Sequence, residues 1–367
     1  MKILKIASAL AASVLLCSCS FVTDLAGEIA VVNEIEPPVE PVANEMPYVE
    51  SVADYVHEIE WYDELCEALE KGSPTVKVDT KVKSRDVDKI LVQLNTDCPQ
   101  IFWTGNSYYS ETAPDGAEVH LSVLEDIEKE DIPEMTEEIY AAAEDIIKKI
   151  PKGSSDYEKV VFVHDYIIEN TVYDHIGALK DGRGMCHNLY GCLIEGDAVC
   201  AGYAETFQFL MNMLDIECGV CTGSNHAWNY VKLDGEYYWV DTTWDDDESG
   251  TPLHTYCLVT TDQLLRSRTF DRLQPNVPEC TSSENNYIVK NGGYFEVYDE
   301  NEILSYVGEN SDKEKCELMF GSFEAYSEAL NELIGKAKLT KAEGVEDLKY
   351  VRTDEMYCLT LLLGEDG

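Results

Sequence analysis

The sequence predicts an α+β protein organised around a cysteine at the start of a helix. Three observations predict this class. Cys200 is followed by AGYAETFQFLMNMLDI, in which Tyr203, Phe207, Leu210, Met211 and Leu214 recur at helical spacing. Asp234-Gly235 sits between β-rich flanks in NHAWNYVKLDGEYYWVDTTWDDD, a strong two-residue hairpin signal. The stretches on either side of these two mix helix-like and strand-like patterns and carry no chemical motif of their own.

The chain has 367 residues, enough for two or three domains with real cores. It opens MKILKIASALAASVLLCSCS: two lysines, an apolar run too short to span a membrane, then small residues. This is the pattern of a secretory signal. Leu16-Cys17-Ser18-Cys19 resembles the lipobox of bacterial lipoproteins, which implies cleavage after residue 18 and a lipid on Cys19. From Ser20 to about Val49 there is no Lys or Arg, and EIEPPVEPVANEMP is rich in Pro and Glu, as expected of a tether.

Region 51–150 reads as a small α/β supporting domain. Helices are expected over Glu64–Lys71 and Arg85–Leu94. Strands are expected over Thr75–Val82, Gln100–Trp103 and Ser107–Ser110, and over Ala117–Val123 after a turn at Pro114-Asp115-Gly116. A further helix spans Met135–Ile150, with Ile139, Ile146, Ile147 and Ile150 on one side, stopped by Pro151 and Gly153. Region 151–274 opens with Ser155 and Glu158 at capping-box spacing and an apolar stripe of Val160, Val163, Ile167 and Ile168. Region 275–367 reads as a second small α/β unit. Tyr287–Val289 and Tyr294–Tyr298 form an expected hairpin across Asn291-Gly292-Gly293. Helices follow at Glu302–Val307 and Ser322–Lys336, with strands at Glu317–Phe320, Tyr350-Val351 and Met356–Leu363. The division is therefore 1–18 signal, 19–50 tether, then domains 51–150, 151–274 and 275–367.

The formal net charge of −44, from 71 acidic against 27 basic residues, repels phosphate backbones and argues against a nucleic-acid partner. No calcium-binding loop of the Asp-x-Asp-x-Asp-Gly type with a terminal glutamate occurs, and the acidic run Asp245–Glu248 reads as a solvated loop. With Cys17 cleaved off and Cys19 lipidated, 11 of the 13 cysteines remain. An odd number leaves at least one thiol unpaired within the chain. Cys186-His187, Cys192 and Cys200 match no paired zinc spacing, and Cys218-Gly-Val-Cys221 has redox-motif spacing without a thioredoxin-like context.

By position alone, Cys200 is a buried helix-start thiol or a nucleophile. Free amide hydrogens and the positive end of the helix dipole there favour a thiolate. The hairpin separates the two readings. With Leu233 facing Glu236, His226 falls opposite Thr243 and Trp228 opposite Asp241, so His226 and Asp241 are diagonal neighbours on one face, about 7 Å apart at Cβ. Trp228, Tyr230 and Trp239 share that face. A nucleophilic cysteine needs such an imidazole–carboxylate pair to move its proton.

Cys200 in VCAGYAETFQFLMNMLDIECGVCTG, His226 in HAWNYVKLDGEYYWVD and Asp241 in VDTTWDD resemble the three motif blocks of the transglutaminase-like superfamily, at separations of 26 and 15 residues. HDYIIENTVYD and YCLVTTDQL resemble its bacterial members, so the likeness runs from about Ser155 to Leu265, and more weakly into the flanks. The resemblance implies a papain-like core, with the Cys200 helix packed on an antiparallel sheet that bears His226 and Asp241. It implies acyl transfer through a thioester on a peptide or protein substrate, to water or to an amine, with Cys200 as nucleophile, His226 as base and acid and Asp241 as orienting carboxylate. No cofactor or metal is needed. Membrane attachment is expected through the N-terminal lipid only. Papain-like proteases often place a glutamine just before the nucleophile as oxyanion donor. Here GCLIEGDAV has none, and Tyr190 and Asn188 are the alternative candidates for that role. A non-catalytic surface scaffold that keeps the fold is the alternative.

Overall fold

The computed structural model describes residues 36–79, 81–113, 115–180, 184–247, 251–342 and 349–363. Cys19 and the signal segment lie outside them. The described residues form two compact units, one of 46–252 with 270–279, the other of 36–45, 253–269 and 280–363. Among the described residues no helix is long and apolar enough to cross a membrane.

The first unit begins with α1 (Tyr62–Glu70), β1 (Thr75–Val78) and α2 (Ser84–Asp97). β2 (Thr104–Ala113) and β3 (Gly116–Val123) form a hairpin, and β1 pairs antiparallel with β3. Burial alternates along β3, with Ala117, Val119 and Leu121 inward, the period a half-buried strand requires. The expected strand at Gln100–Trp103 is instead a turn: Ile101 N–H donates to Cys98 O at 2.9 Å, and Ile101, Phe102 and Trp103 are all buried. A short apolar run packs as well in a buried turn as in a strand, and periodicity cannot tell them apart. Of the expected turn, Pro114 lies outside the described residues.

α3 (Ile132–Ile147) starts three residues before the expected helix because Pro133 stands in its first turn, where no N–H is needed. α4 (Asp156–Asn170) carries the expected capping box: Glu158 N–H donates to Ser155 Oγ, and Ser155 N–H donates to Glu158 Oε2 at 2.7 Å. Its stripe of Val160, Val163, Ile167 and Ile168 is buried as expected, together with His164. α5 (Cys200–Met213) begins at the cysteine itself.

After α5 come β4 (Cys218–Gly223), β5 (His226–Leu233) and β6 (Glu236–Val240), an antiparallel meander. Leu233 pairs with Glu236 and Asn229 with Val240, the register expected from the Asp234-Gly235 turn. Asp234 and Gly235 have φ of 54° and 90°, and Ser224 and Asn225, between β4 and β5, have 54° and 60°. Left-handed pairs of this kind match the twist of the strands they join. α5 lies on the sheet face that carries Val220, Ala227 and Asn229, where Asn229 Nδ2 donates to Ala204 O at 2.9 Å. The opposite face buries Trp228, Tyr230 and Trp239, with Phe270 against both tryptophans.

In the second unit, α6 (Glu300–Glu309), β7 (Lys315–Phe320), α7 (Phe323–Ala329), β8 (Lys349–Thr353) and β9 (Cys358–Leu362) bury Ile303, Val307, Leu318, Tyr326, Leu333 and Leu359. β9 pairs antiparallel with both β7 and β8. The expected hairpin at 287–298 does not form. Tyr287–Lys290 is a helical turn capped by Asn286, whose side chain accepts from Val289 N–H, and Gly292 (φ 81°) ends it. Tyr294-Phe295 then pairs parallel with Met319-Phe320.

Candidate active site

Three local features place Cys200. The strand pair Val172-Tyr173 with Asp197-Ala198 fixes the entry to α5. Val199 N–H donates to Cys186 O at 2.8 Å. Gly202 lets the first turn of α5 lie against the preceding loop: a Cβ there would meet Ala198 Cβ at 2.8 Å and the carbonyls of Cys186 and Asn188 at 3.0 Å. That loop is tied down from within, since Asn188 Oδ1 accepts from the N–H of Tyr190 and of Gly191, and Glu205 Oε2 from Leu189 N–H. The hydroxyl of Tyr190, one of the two possible oxyanion donors, is engaged by Glu138.

His226, the first residue of β5, bonds through Nε2 to Asp241 Oδ2 at 2.8 Å. Asp241 is 1 % exposed and follows β6 directly. It also accepts Trp244 N–H at 3.2 Å. With Nε2 committed to Asp241, Nδ1 is the nitrogen left for the thiol. Trp228 stacks beside the imidazole, with ring centroids 6.0 Å apart, and Trp244 lies at the same distance at an angle.

The electrostatics couple Cys200 to this pair. Burial pushes the Cys200 thiol up, but the charge of His226, its hydrogen bond and a bond from Ala227 N–H outweigh it, and the net shift is below the usual value. Burial disfavours the charged form of His226, yet the charges of Asp241 and Cys200 and their hydrogen bonds raise it to about 9. A thiolate–imidazolium pair is therefore favoured. Three other thiols of this unit go the opposite way: burial pushes Cys186 and Cys192 up to about 11 and Cys218 well above its usual value. No disulfide joins any two of the eleven described cysteines. Cys186 Sγ contacts its own neighbour His187 and Cys192 Sγ contacts Thr171, so the residues considered for zinc have separate partners.

Of the acidic run expected to be a solvated loop, Asp245 and Asp246 are instead buried, and Glu248 lies outside the described residues. Asp245 is 0 % exposed, and its Oδ2 lies 3.1 Å from Nε2 of the fully buried His164. His164 Nδ1 faces Asp165 Oδ1 at 2.9 Å. Burial opposes its charge, but both carboxylates raise it to about 9. Asp246, also buried, accepts the hydroxyl of Tyr203 at 2.6 Å. The turn that carries Asp241 is thus clamped to α4 by His164 and to α5 by Tyr203, one turn of helix past Cys200.

The family model of the Transglutaminase-like superfamily matches residues 143–243, a span that contains Cys200, His226 and Asp241. Residues 143–243 are a transglutaminase-like domain. Among solved structures, the chain is similar to one described as a TGase, at 18 % identity and TM-score 0.28, covering 46 % of this chain and 50 % of that one. It is similar to a putative cysteine protease from Cytophaga hutchinsonii at 17 % identity and TM-score 0.25, covering 40 % and 64 %. A structure of menin aligns at 13 % identity and TM-score 0.26, covering 82 % and 65 %. The chain thus spans half the length of the TGase and just under two thirds of the other two. No curated protein matches it. The mixed helix-and-sheet class expected from the sequence holds, and the expected transglutaminase-like domain is found at residues 143–243. Cys200, His226 and Asp241 are brought together within this domain, whereas Cys19 is outside the described residues. Sequence reading missed His164, Tyr203, Asp245 and Asp246. The available signals were the His164-Asp165 pair in a helix stripe and Tyr203 at i+3 from Cys200.

Proposed function

We propose that the transglutaminase-like domain performs acyl transfer on peptide or protein amides through a thioester on Cys200. The observation that carries this reading is the bond of His226 to buried Asp241 beside a helix-start thiol whose pKa His226 lowers. His226 takes the thiol proton at Nδ1 while Asp241 holds the ring and supports its charge. The sulfur attacks the amide carbonyl, and the oxyanion meets the free N–H groups at the start of α5. His226 then returns the proton to the leaving amine and the thioester remains. Water, activated by the same imidazole, hydrolyses the thioester; an amine in its place gives a cross-link, and where the thioester was formed from a side-chain amide with loss of ammonia its hydrolysis amounts to deamidation. Hydrolysis comes first in this proposal because water needs no second binding site. Trp228 and Trp244 limit solvent around the imidazole.

The N-terminal sequence supports export, with a lipid on Cys19 holding the enzyme at the outer face of a bacterial membrane. The acidic surface disfavours nucleic acid as a partner. The test is a peptide-amide library incubated with the full chain and with Cys200→Ala, read by mass spectrometry for cleaved, cross-linked or deamidated products. The native protein is expected to yield product and a quenchable acyl adduct at Cys200, with at least about a 1,000-fold loss in the variant. Full activity in Cys200→Ala would overturn the proposal.

A further inference from the structure

Two thiols of the first unit that the proposed mechanism does not use are brought together by α1 and the end of α2. Cys66 stands in the middle of α1. Cys98 directly follows α2, and its N–H donates to Leu94 O at 2.8 Å. Side-chain bonds on either side of the pair hold the two stretches against each other. Four residues before Cys66, the Tyr62 hydroxyl donates to Asp97 Oδ2 at 2.6 Å; four residues after it, Glu70 Oε1 accepts from Gln100 Nε2 at 3.5 Å. Asp97 precedes Cys98, and Gln100 is two residues beyond it. Residues four apart share one face of a helix, so Tyr62, Cys66 and Glu70 present a single row to the stretch 97–100. The two thiols close the middle of that row with a hydrogen bond of their own.

The two thiols are unequal. Cys66 is half-buried, whereas Cys98 is 6 % exposed. The hydrogen bond with Cys98 holds the Cys66 thiol below its usual value, against burial, and the neighbouring Tyr62 hydroxyl adds to this. The same bond, together with burial, pushes Cys98 up. Cys66 is therefore the thiol that reaches solvent and gives up its proton first, and Cys98 stands behind it with its proton retained. By contrast, Cys192 meets the Thr171 hydroxyl and Cys218 the Asn229 side chain.

We propose that Cys66 and Cys98 are a modification site: they form a disulfide by exchange with a low-molecular-weight disulfide, stapling α1 to the end of α2. In the first step the Cys66 thiolate attacks one sulfur of the incoming disulfide and expels a thiolate, leaving a mixed disulfide on Cys66. In the second, Cys98 loses its proton to solvent, attacks Cys66 Sγ and expels the other half. Two protein thiols are oxidised, and one disulfide is reduced to two thiols, which take up the two protons. The staple falls where α2 meets the helix of Cys200: Thr96 O, two residues before Cys98, accepts Gln208 Nε2 of α5. The inference stands apart from the acyl-transfer reading, because it uses neither Cys200 nor His226.

The test incubates the full chain, reduced beforehand, with oxidised glutathione under native conditions. The reaction is quenched with acid, free thiols are blocked after unfolding, and the peptides are mapped by mass spectrometry without reduction. A peptide pair linked through Cys66 and Cys98 is expected, lighter than its two reduced halves by the two hydrogens lost, and returned to them by dithiothreitol. Cys98→Ser should stop at the first step, with glutathione held on Cys66, and Cys66→Ser should leave Cys98 a thiol. If Cys98→Ser does not fold, Cys98→Ala, which has no hydroxyl to bury, traps the same adduct. Both thiols remaining unlinked, a link from either to a different cysteine, or glutathione that stays on Cys66 of the native protein without release by Cys98 would overturn the proposal.

Discussion

His226 and His164 belong to the same unit, and each holds a buried aspartate through Nε2, Asp241 and Asp245 respectively. Both rise to about 9, against the same penalty of burial. They differ in what the second nitrogen meets and in access. His164 is fully buried, and its Nδ1 faces another carboxylate, Asp165. His226 is 11 % exposed, and its second nitrogen is left for the Cys200 thiol. An imidazolium between two carboxylates has no proton to exchange with a substrate, so it is a fastening. In the proposed mechanism, an imidazolium between a carboxylate and a partly exposed thiolate has a proton to give. A raised histidine pKa alone does not separate chemistry from structure; the second partner and the route to solvent do.

The largest expected effect that divides the pair is on activity. Asp241→Asn should lower turnover by about 10,000-fold, the scale on which triad carboxylates act through imidazole tautomer and orientation. Asp245→Asn should leave the chemical step within about tenfold, because it touches the site only through the turn after β6. The pair should separate in the opposite sense on stability. Breaking a buried ion pair costs about 3 kcal/mol or more, so Asp245→Ala is expected to lose that much in denaturant unfolding and Asp241→Ala less. Equal stability losses would collapse the distinction.

A smaller effect tests the clamp on α5. Tyr203→Phe removes the hydroxyl bound to buried Asp246 and should cost about 2 kcal/mol in unfolding. If Tyr203 also positions the site, kcat should fall more than KM rises, and the pH at which Cys200 loses its proton should move. A stability loss with both unchanged would make Tyr203 structural only. The smallest effect is on pH dependence. His164 and His226 are raised above their unfolded value of 6.5 to about 9. Their stabilising contribution is thus complete below pH about 6.5 and is lost as pH rises through about 9. Stability should decline across that window, and Asp245→Ala should flatten the decline. A native protein equally stable at pH 6 and pH 10 would contradict the two charged pairs.

The legible part of the site was local. Helical spacing after Cys200 placed the start of α5, and the Asp234-Gly235 turn set a register that carried His226 to the same face as Asp241. Both follow from contacts within about twenty residues. The fastening was not legible, because Asp245 meets its partner 81 residues upstream and Asp246 meets one 43 residues upstream. An acidic run after a strand looks like solvated surface until those partners are known. The misread hairpin at 287–298 has a similar origin: Asn-Gly-Gly marks a turn, but Asn286 caps a helix before it and Met319-Phe320, well downstream, supplies the strand partner.

The most direct test of the central claim is the rate of alkylation of Cys200 against pH, read at that residue by mass spectrometry, in the native protein and in His226→Ala. Coupling to His226 predicts reaction well below pH about 8.5, the ordinary thiol value, and a shift up to or above that value when the imidazole is removed. A Cys200 that titrates like an ordinary cysteine in both proteins, or that never reacts, would contradict the thiolate–imidazolium pair.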